Sequence, residues 1–460
     1  MVVAAQANGT LLQKLAAKAA TAGHLAMADV DGDGDLDLFI GARSLPGNYP
    51  KPVDSWIYLN EEGVWKESPA WSVALRDIGL VAGAVFLNAD AHPLPDLLLA
   101  CDWGTPKILV NTGTGFIDRT NQYGLAKHTG FWRGIDAGDF NGDGRMDFVA
   151  ANLGLNAGYN ASPQKPFVMY HGDLDGDGRR EIIETEREDG LIYPRRNLAT
   201  LNSAMPWLSE HLLNYDHYAQ FTVEEFSEVA RLTKAVRSEI TTLQSMVFLR
   251  TDGGFEPIPL PVEAQLTAAF CPVVADFDND GTEDIALSQN VFGVHQEESR
   301  QDAGFGLLLL GQGDGTFETT TIGVSGLTVF GEGRGAATAD FNHDGRTDLV
   351  ICQNGSKPKL FLNQAKRRGL RVQLQGGNGN REAVGAQIRL ELEGKPGPSR
   401  TVRLGSGFLS QNSTTQVLGA AENATALLVA WPSGKQERYK LAPNQSEITA
   451  VSGQGEPLVN

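Results

Sequence analysis

Oxygen-bearing side chains recur at fixed spacing in a nine-residue string that occurs five times in the chain. The copies are DVDGDGDLD at 29–37, DFNGDGRMD at 139–147, DLDGDGRRE at 173–181, DFDNDGTED at 276–284 and DFNHDGRTD at 340–348. Asp, Asn or Glu occupies positions 1, 3, 5 and 9, and Gly occupies position 6. This spacing wraps oxygens around one point while the Gly permits a tight turn. The string predicts coordination of a hard cation.

Calcium is the ion that these side chains predict. Zinc favours Cys and His ligands and magnesium keeps several waters, whereas calcium accepts carboxylates, amides and a backbone carbonyl such as that of position 7. Five copies in register make the alternative, a set of Asp- and Gly-rich hairpin turns without a metal, less favourable. The predicted ligands are Asp29, Asp31, Asp33 and Asp37; Asp139, Asn141, Asp143 and Asp147; Asp173, Asp175, Asp177 and Glu181; Asp276, Asp278, Asp280 and Asp284; and Asp340, Asn342, Asp344 and Asp348.

A sixth string, NADAHPLPD at 88–96, departs from this pattern. His92 replaces the oxygen ligand of position 5, and Pro93 replaces the Gly of position 6. The first change removes a ligand and the second removes the flexibility that the turn requires. We therefore expect this loop to hold no calcium.

The strands on either side must hold these strings in place. An apolar run leads into each string and another leaves it, as HLAMADV and LDLFIGA do around the first copy, and two further strands often follow. Four antiparallel strands with the loop between the first two are typical of a propeller blade. The predicted fold class is all-β: a calcium-binding β-propeller of six to seven blades, in which residues 9–15 supply the fourth strand of the last blade.

Two interruptions of the repeat predict the domain organisation. The run TVEEFSEVARLTKAVRSEITTL begins with a capping box, Thr222 and Glu225, and continues with apolar residues at helical spacing, which predicts a helical insertion at about 195–245. Near the C-terminus, alternating strands joined by Gly, Asn and Pro turns, without an acidic string, predict a separate β-sandwich. We expect a propeller over 1–365 and a β-domain over 366–460.

The composition constrains the partners. The formal net charge is −18 and the basic runs are short, so nucleic acid is not an expected partner, since phosphate binding requires clustered Lys and Arg. No run approaches the roughly 20 apolar residues needed to cross a bilayer, which predicts no membrane insertion. No signal peptide is visible, because the first residues lack its charged and apolar regions.

The acidic strings resemble FG-GAP/VCBS repeats, and GNREAVGAQIRL (379–390), GSGFLSQNS (405–413) and WPSG (431–434) resemble the ASPIC/UnbV domain. With GARSLPGNYP (41–50) and NLGLN (152–156), they make the chain similar to the cartilage acidic protein family and its bacterial relatives. This resemblance implies a calcium-binding protein that is secreted or lies at the cell surface or in the periplasm. The chain departs from the animal members in lacking their cysteine-rich module.

Binding is the function that these features favour, since the sequence contains no HExxH, no GxSxG and no other recognised catalytic motif. In a four-stranded blade the long connections between strands 2 and 3 gather at the rim opposite the acidic strings, and long loops on a rigid scaffold commonly bind ligands. Aromatic, Arg and Asn residues there would suit a glycan, a matrix polymer or a protein. The candidate binding residues are Arg43, Tyr49, Trp132, Arg133, Asn152 and Asn156.

Two alternatives to a binding rim stay open. Some polysaccharide lyases use calcium propellers, so a calcium-dependent polysaccharide-active or natural-product-tailoring enzyme is the second hypothesis. A long groove lined by Arg, Lys or Tyr bases would favour the enzyme, whereas a shallow face built from loops would favour a binding protein. The other alternative is that the aromatic residues of the rim only pack the long loops onto one another.

Overall fold

The structure is a computed structural model, and it is all-β. It describes residues 3–5, 11–16, 18–90, 92–212, 214–225, 232 and 235–458. The strands of this described part form nine sheets, and the helices are short. Five of the sheets follow one another along the chain from residue 21 to residue 361. Each begins with a strand that leads into one of the nine-residue strings, called acidic loops from here on.

The five successive sheets are built from antiparallel neighbours, in which each acidic loop joins the first strand to the second. The strands of the first two sheets are Thr21–Ala28, Asp37–Ser44, Trp56–Glu61 and Val64–Glu67, then Leu80–Leu87, Asp96–Gly104, Lys107–Asn111, Phe116–Asp118 and Gly130–Phe131. Those of the third to fifth sheets are Gly134–Gly138, Asp147–Ala151, Met246–Thr251 and Gly254–Pro259, then Ala269–Ala275, Asp284–Gln289, Leu307–Gly311 and Phe317–Thr319, then Glu332–Ala339, Asp348–Asn354 and Ser356–Phe361.

The first strands of successive sheets lie side by side at the centre of the array. Every residue of Leu80–Leu87 and of Gly134–Gly138 is buried, whereas the outer strand Val64–Glu67 is mostly exposed. Small residues permit this close approach: a Cβ on Gly134 would lie 2.1 Å from the carbonyl oxygen of Phe270. Inner strands buried on both faces and outer strands in water are consistent with the predicted propeller.

The acidic loop at 173–181 lies in an inserted sheet rather than in a blade of its own. The strands of this inserted sheet are Phe167–Gly172, Glu181–Glu188, Leu191–Pro194 and Val236–Ile240. In the chain, it lies between the second and third strands of the third sheet. The count of six to seven blades is not confirmed, because the described residues contain five successive sheets and this insertion.

Helical segments occur in the insertion, but the prediction of a helical run through 236–240 is wrong, because Val236–Ile240 is a strand paired with Phe167–Gly172. The helical segments are Leu198–Ala204, Tyr215–Tyr218 and the 3-10 turn Pro206–Glu210. The predicted capping box is present, because the N–H of Thr222 donates to the Glu225 carboxylate at 2.8 Å and the N–H of Glu225 donates to the Thr222 hydroxyl at 3.3 Å. The continuation of this predicted helix, at 226–231 and 233–234, lies outside the described residues.

The other helical segments are single turns. They are Pro69–Ser72, Ile322–Ser325 and the 3-10 turns Val73–Leu75, Leu125–Lys127, Val262–Gln265 and Ala421–Asn423. None of the helices that the structure describes combines the length and hydropathy needed to cross a membrane.

The N-terminal strand does not complete the fifth sheet, so that prediction is wrong for the described residues 11–15. Leu11–Lys14 pairs with Val3–Ala5. The side chain of Gln13 exchanges two hydrogen bonds with the backbone of Trp65 in the first sheet, at 2.7 and 2.9 Å. An amide side chain matches both a backbone C=O and a backbone N–H, and here it holds the N-terminus against the first sheet.

The C-terminal part forms two further sheets around a core of their own. One contains Leu370–Gln375, Gln416–Leu418 and Glu447–Val451, and the other contains Gln387–Leu392, Lys395–Pro396, Arg400–Thr401, Ala424–Ala430, Gln436–Lys440 and Glu456–Pro457. Leu370 and Val372 of the first sheet share this core with Ile388 and Leu427 of the second. Two sheets on one core fit the predicted β-sandwich, and the boundary at 365/366 stays a prediction.

A segment of the C-terminal domain, residues 403–413, enters the centre of the five sheets and is called the plug. The carbonyl of Leu404 accepts the N–H of Met27 at 2.9 Å in the first sheet. Gly407 exchanges two backbone hydrogen bonds with Ile135 in the third sheet, at 2.7 and 3.2 Å. The plug therefore uses backbone groups of inner strands that face the centre of the array.

The plug also reaches the fourth and fifth sheets. The N–H of Phe408 donates to the Cys271 sulfur at 3.2 Å, and the N–H of Ser413 donates to the carbonyl of Thr338 at 2.8 Å. These contacts link the inner strands of the first and last sheets. The C-terminal domain thus provides the connection that the N-terminus was expected to make.

Candidate functional site

A carboxylate at position 9 anchors every acidic loop to its sheet. Asp284, for example, accepts the N–H of Phe277 at position 2 with one oxygen, at 2.7 Å, and the N–H of Gly311 at the third strand with the other, at 2.9 Å. The same two kinds of bond are made by Asp37, Asp96, Asp147 and Asp348. Glu181 makes the first of them, to Leu174. Position 9 therefore fixes the loop to its own sheet, whatever else it binds.

Positions 1 and 3 are oriented by backbone donors inside the loop. In the loop of the fourth sheet, Asp276 accepts the N–H of Gly281 at 2.9 Å, and Asp278 accepts the N–H of Asp280 at 3.0 Å. Gly281 has φ 99°, the left-handed region that favours glycine, which explains the Gly at position 6. The nine residues thus contain most of the donors that shape the loop.

In each of three acidic loops, three ligand atoms lie close enough together to coordinate one ion. Within each set, one oxygen from every residue lies within 4.8 Å of the others. The sets are Asp29, Asp31 and Asp33; Asp173, Asp175 and Glu181; and Asp276, Asp278 and Asp284. All of these ligand atoms are oxygens, which is the ligand type that calcium prefers.

Some loop oxygens are buried without a hydrogen-bond partner among the described residues. They are Oδ1 of Asp139, Asn279 and Asp344. A buried oxygen without a partner is costly unless an ion or a water completes its surroundings. The oxygen atoms of these loops therefore fit the coordination of a bound cation.

Burial makes several loop carboxylates harder to ionise. It raises the pKa of Asp37 and Asp147 to about 7, with backbone N–H donors opposing the rise and neighbouring carboxylates adding to it. Burial also raises the pKa of Asp276 to about 7, and the Arg400 guanidinium opposes that rise. Carboxylates in such places are charged at neutral pH only where a positive charge compensates them.

The loop at 88–96 keeps the position-9 hydrogen bonds but lacks the full set of ligand oxygens. Asp96 makes both position-9 hydrogen bonds, each at 2.8 Å. Pro93 has no N–H for position 1, and Asn88 instead donates its Nδ2 to the carbonyls of His92 and Pro93 at 3.4 and 3.3 Å. The absence of calcium from this loop stays a prediction, and this arrangement favours it.

The C-terminal domain covers the acidic loops of the third and fourth sheets. The N–H of Ser399 donates to Asp139 Oδ2 at 2.8 Å. Arg400 makes a two-pronged pair with Glu283 at 2.8 and 2.7 Å, and both side chains are nearly buried. The ends of the sheets that carry the acidic loops, called the acidic-loop rim, are therefore an interdomain surface.

The other ends of the sheets, called the opposite rim, hold a cavity of about 260 Å³. Connections between second and third strands and between successive sheets line it. The side chains that matter chemically are Tyr49, Trp103, Arg133, Tyr159, Glu184 and Glu298. Strand direction predicted that the long loops would meet at this end.

Three of the six predicted binding residues gather at the cavity. Tyr49 and Arg133 line it, and Arg43 lies beside them with its guanidinium 3.7 Å from the carboxylate of Asp102. Asn156 is exposed and lies outside the lining of the cavity. A binding role for these four residues stays a prediction.

Trp132 and Asn152 are structural residues, which corrects their assignment to the binding rim. Trp132 is fully buried, and its Nε1 donates to the carbonyl of His128 at 2.9 Å. Asn152 is also fully buried; its Oδ1 accepts the N–H of Phe131 at 3.0 Å and its Nδ2 donates to the carbonyl of Thr242 at 3.2 Å. Both side chains hold loops together and have no surface to offer a ligand.

The residues that sequence reasoning missed lie beneath the cavity and in the plug. Arg133 and Arg334 both lie over the ring of Phe270, at 4.8 and 4.0 Å from its centroid. Phe270 meets Phe408 of the plug edge to face, with centroids 5.4 Å apart. The available signal was Arg334 itself, a charged residue between two glycines of an inner strand.

The fold and the loops define an all-β protein whose successive sheets carry oxygen-rich loops. Residues 88–150 match the family model of the FG-GAP-like repeat, and residues 376–457 match the model described as ASPIC and UnbV. The resemblance expected from the sequence is thus confirmed: the chain combines FG-GAP-like repeat sequence with a C-terminal ASPIC/UnbV domain. A search of the curated proteins finds no match to the chain.

Among solved structures, the chain is similar to rhamnogalacturonan lyases. The PL11 enzyme of Bacillus licheniformis aligns with TM-score 0.31 and 11% identity, over 97% of this chain and 74% of its own. The exotype lyase YesX aligns with TM-score 0.32 and 11% identity, over 98% and 75%. A Trypanosoma rangeli sialidase aligns with TM-score 0.26 and 9% identity, over 99% and 89%. Likenesses this weak carry no conclusion about activity.

Proposed function

We propose that the protein is a calcium-stabilised binding scaffold that recognises a glycan, a matrix polymer or a protein at the opposite rim. One observation carries this proposal: the two chemically distinctive parts lie at opposite ends of the sheets. The oxygen-rich loops of the first, third, fourth and fifth sheets lie at the acidic-loop rim, partly beneath the C-terminal domain, and the cavity with its aromatic and Arg side chains lies at the opposite rim. Stability and recognition are thereby assigned to separate regions.

The side chains at positions 1, 3, 5 and 9 of the five acidic loops other than 88–96 would hold the calcium ions. A bound ion supplies the positive charge that carboxylates within 4.8 Å of one another require. Extracellular calcium modules bind with a Kd of about 10⁻⁴–10⁻³ M, so sites of this kind fill where calcium is plentiful. For that reason the proposal includes a location that is secreted, at the cell surface or in the periplasm.

The cavity offers the contacts that a sugar or an acidic chain would use. Tyr49 is 42% exposed, and its hydroxyl oxygen accepts the Nε1–H of Trp103 at 2.8 Å, which leaves the hydroxyl proton for a ligand. Aromatic and Arg side chains commonly dominate binding surfaces. In a chain with net charge −18, a rim with several guanidinium groups is electrostatically distinct from its surroundings.

The two tyrosines of the cavity are poor candidates for a general base. Burial raises the pKa of Tyr159 to about 12, and the nearby Glu184 carboxylate adds to the rise. Removal of its hydroxyl group from water raises the pKa of Tyr49 as well, although the residue as a whole is 42% exposed. A general base works best with a pKa near the operating pH. The enzyme hypothesis therefore gains no support from these two phenols.

A binding screen of the full chain against immobilised glycans and matrix polymers, in calcium and in EGTA, tests the proposal. We expect a ligand to be retained in calcium, and we expect Arg43→Ala and Tyr49→Ala to weaken its binding. Arg119→Ala is the matched control, because Arg119 is exposed in the second sheet away from the cavity. A ligand bound equally by both rim variants, while they stay folded, would place the site elsewhere.

A further inference from the structure

Arg133 is a positive charge of the cavity that makes no ion pair within 4.0 Å in the described part of the chain. Its guanidinium lies over Phe270, 4.8 Å from the ring centroid, and its Nε is buried without an acceptor among the described residues. A buried charge without a counter-ion is costly. Guanidinium groups pair most strongly with carboxylates and phosphates, to which they donate two N–H groups at once. Arg133 therefore points to an anionic group on the ligand.

The carboxylates near Arg133 are already paired with other arginines. Asp102 lies 3.7 Å from the guanidinium of Arg43, and Glu332 accepts a hydrogen bond from Arg334 at 2.8 Å. Each neighbouring arginine thus has its own carboxylate, and no ion pair to Arg133 within 4.0 Å occurs in the described part of the chain. Asp102 favours the charge of Arg133 from beyond that distance, so Arg43, Arg133 and Arg334 share two carboxylates and this end of the cavity has an excess of one positive charge.

The far wall of the cavity holds two glutamates that are paired with two arginines. Glu184 and Glu298 line it; Arg196 pairs with both, and Arg195 also donates to Glu298 at 2.9 Å. The hydroxyl of Tyr159 donates to Glu184 at 3.1 Å. Carboxylates keep further lone pairs for hydroxyl donors. A ligand that fills both ends must present an anion to Arg133 and hydroxyl groups to the glutamates.

We propose that this cavity binds a hexuronate, a single sugar ring that carries a carboxylate. The carboxylate pairs with Arg133, the ring hydroxyls donate to the glutamates, and Trp103 with Phe131 forms the apolar wall. The volume of about 260 Å³ lies just below the roughly 300–1,000 Å³ of pockets for drug-sized ligands, which suits one ring. The inference rests on the proposed binding function and names the ligand class of that site.

The polarity of the cavity explains why other small ligands fit less well. A neutral sugar would leave the excess positive charge at Arg133 without a closely paired anion, and a ligand with anions at both ends would bring one of them against glutamates whose arginine partners are already engaged. A simple carboxylate such as acetate would satisfy Arg133 and leave the far wall without donors. A ring with one carboxylate and several hydroxyls satisfies both walls.

Isothermal titration calorimetry of the full chain tests this inference with sodium D-glucuronate, D-galacturonate and D-mannuronate. The neutral hexoses of the same stereochemistry and sodium acetate are the comparison ligands. We expect at least one hexuronate to bind, with weaker binding of acetate and none of the neutral sugars. Because the contact with Arg133 is ionic, added salt should weaken the binding.

Arg133→Gln should lower the affinity for the hexuronate about 10- to 100-fold, because the charge-assisted pair is lost. Arg133→Lys keeps the positive charge without the paired N–H donors, so its affinity for the hexuronate should fall less than that of Arg133→Gln. Arg119→Gln, which changes an exposed Arg outside the cavity lining, is the matched control and should bind as the unchanged protein does. Thermal melts of all three variants verify that they are folded.

Three results would overturn the inference: none of the hexuronates binds, acetate binds as tightly as they do, or folded Arg133→Gln binds as tightly as the unchanged protein. A neutral polymer retained in the screen, together with no hexuronate binding, would refute this inference and leave the proposed scaffold function standing. Hexuronate binding with no polymer or protein retained would support the cavity and contradict the scaffold function. The two failures are therefore distinguishable.

Discussion

The acidic loops at 276–284 and 173–181 share one motif in opposite surroundings. In the first, Asp276 is 1% exposed, and Glu283 is paired with an arginine of the C-terminal domain. In the second, Asp173 is exposed, and the loop lies in the inserted sheet. Nine residues of similar sequence are thus buried between domains in one place and solvated in the other.

This difference shows that the motif specifies the arrangement of ligand oxygens. The surrounding residues determine how much of the fold depends on an ion bound there. Solvated carboxylates keep their charge at little cost, whereas buried ones have lost their hydration. A cation at 276–284 would stabilise the contact between the sheets and the C-terminal domain. A cation at 173–181 would order only the inserted sheet.

Calcium removal is the largest perturbation that separates the two settings. An ion present at 100 times its Kd contributes about 2.7 kcal/mol, so losing ions from the loops under the C-terminal domain should lower the Tm by on the order of 10 °C. Calorimetry in EGTA, before and after calcium is restored, measures this shift. Magnesium is the control and should not restore the Tm. An unchanged Tm in EGTA would contradict the calcium assignment.

Gly407→Ala should disturb 276–284 and leave 173–181 intact, because it displaces the plug. Gly407 has φ 58°, and a Cβ would lie 2.2 Å from the sulfur of Cys271, so we expect a cost of more than about 4 kcal/mol. Gly434→Ala is the matched control: φ is 80°, nothing lies within 4 Å of the added Cβ, and the cost should be about 1–2 kcal/mol.

Hydrogen exchange measured by mass spectrometry locates the damage in Gly407→Ala. Exchange should rise in the loops covered by the C-terminal domain and stay unchanged in the inserted sheet. Equal increases in both places would mean that the plug does not couple the C-terminal domain to its loops in particular.

Asp276→Asn and Asp173→Asn compare the two loops directly. In calcium, Asp276→Asn should cost about 2–4 kcal/mol because it takes a charged ligand from a buried site, and Asp173→Asn should cost less than about 1 kcal/mol. In EGTA the effect at Asp276 should change sign, because the substitution then removes a buried carboxylate without a cation. Thermal unfolding in both buffers measures the four differences, and equal costs in calcium would contradict the comparison.

The pH dependence of stability probes the plug through His24. Its Nδ1 accepts the N–H of Leu409 in the plug at 3.3 Å, and burial lowers its pKa to about 4. The unfolded chain has a His pKa of about 6.5, so the folded state disfavours protonation. The contribution of neutral His24 to the free energy of unfolding is fully present above pH 6.5. It declines as the pH falls towards about 4, by up to about 3 kcal/mol.

His24→Asn should flatten that part of the pH profile while leaving the titration of the acidic loops in place. Calorimetry of both proteins between pH 4 and pH 7 gives the difference. Parallel profiles would show that His24 contributes nothing to the acid sensitivity.

The acidic loops were predictable because their hydrogen bonds are local. Position 9 bonds position 2, and position 1 bonds position 6, so one short string contains both partners. The placement of 173–181 was not predictable in this way, because its sheet is completed by Val236–Ile240, which follows the helical segments. Pairing between strands so far apart in sequence depends on tertiary contacts that no local pattern shows.

The candidate site was only partly predictable for a related reason. Strand direction placed Arg43, Tyr49 and Arg133 at one rim, but it does not say which aromatic residues of that rim are buried. Trp132 packs against Phe248 with ring centroids 5.8 Å apart, and this contact, made with a strand of the third sheet, decides its burial. The sequence of the plug does not alternate between apolar and polar residues as a strand does, so its path through the centre of the five sheets was not predictable either.

The path of the plug has a consequence for how the chain is synthesised. The last strand of the five sheets ends at Phe361, and the plug begins at residue 403, so the inner strands emerge from the ribosome before the segment that bridges them. At typical rates of translation this interval lasts roughly 2–8 s. During it, backbone groups such as those of Met27 and Ile135 lack their native partners. Completion of the array thus waits for the C-terminal domain, which makes full-length synthesis a condition of a closed centre.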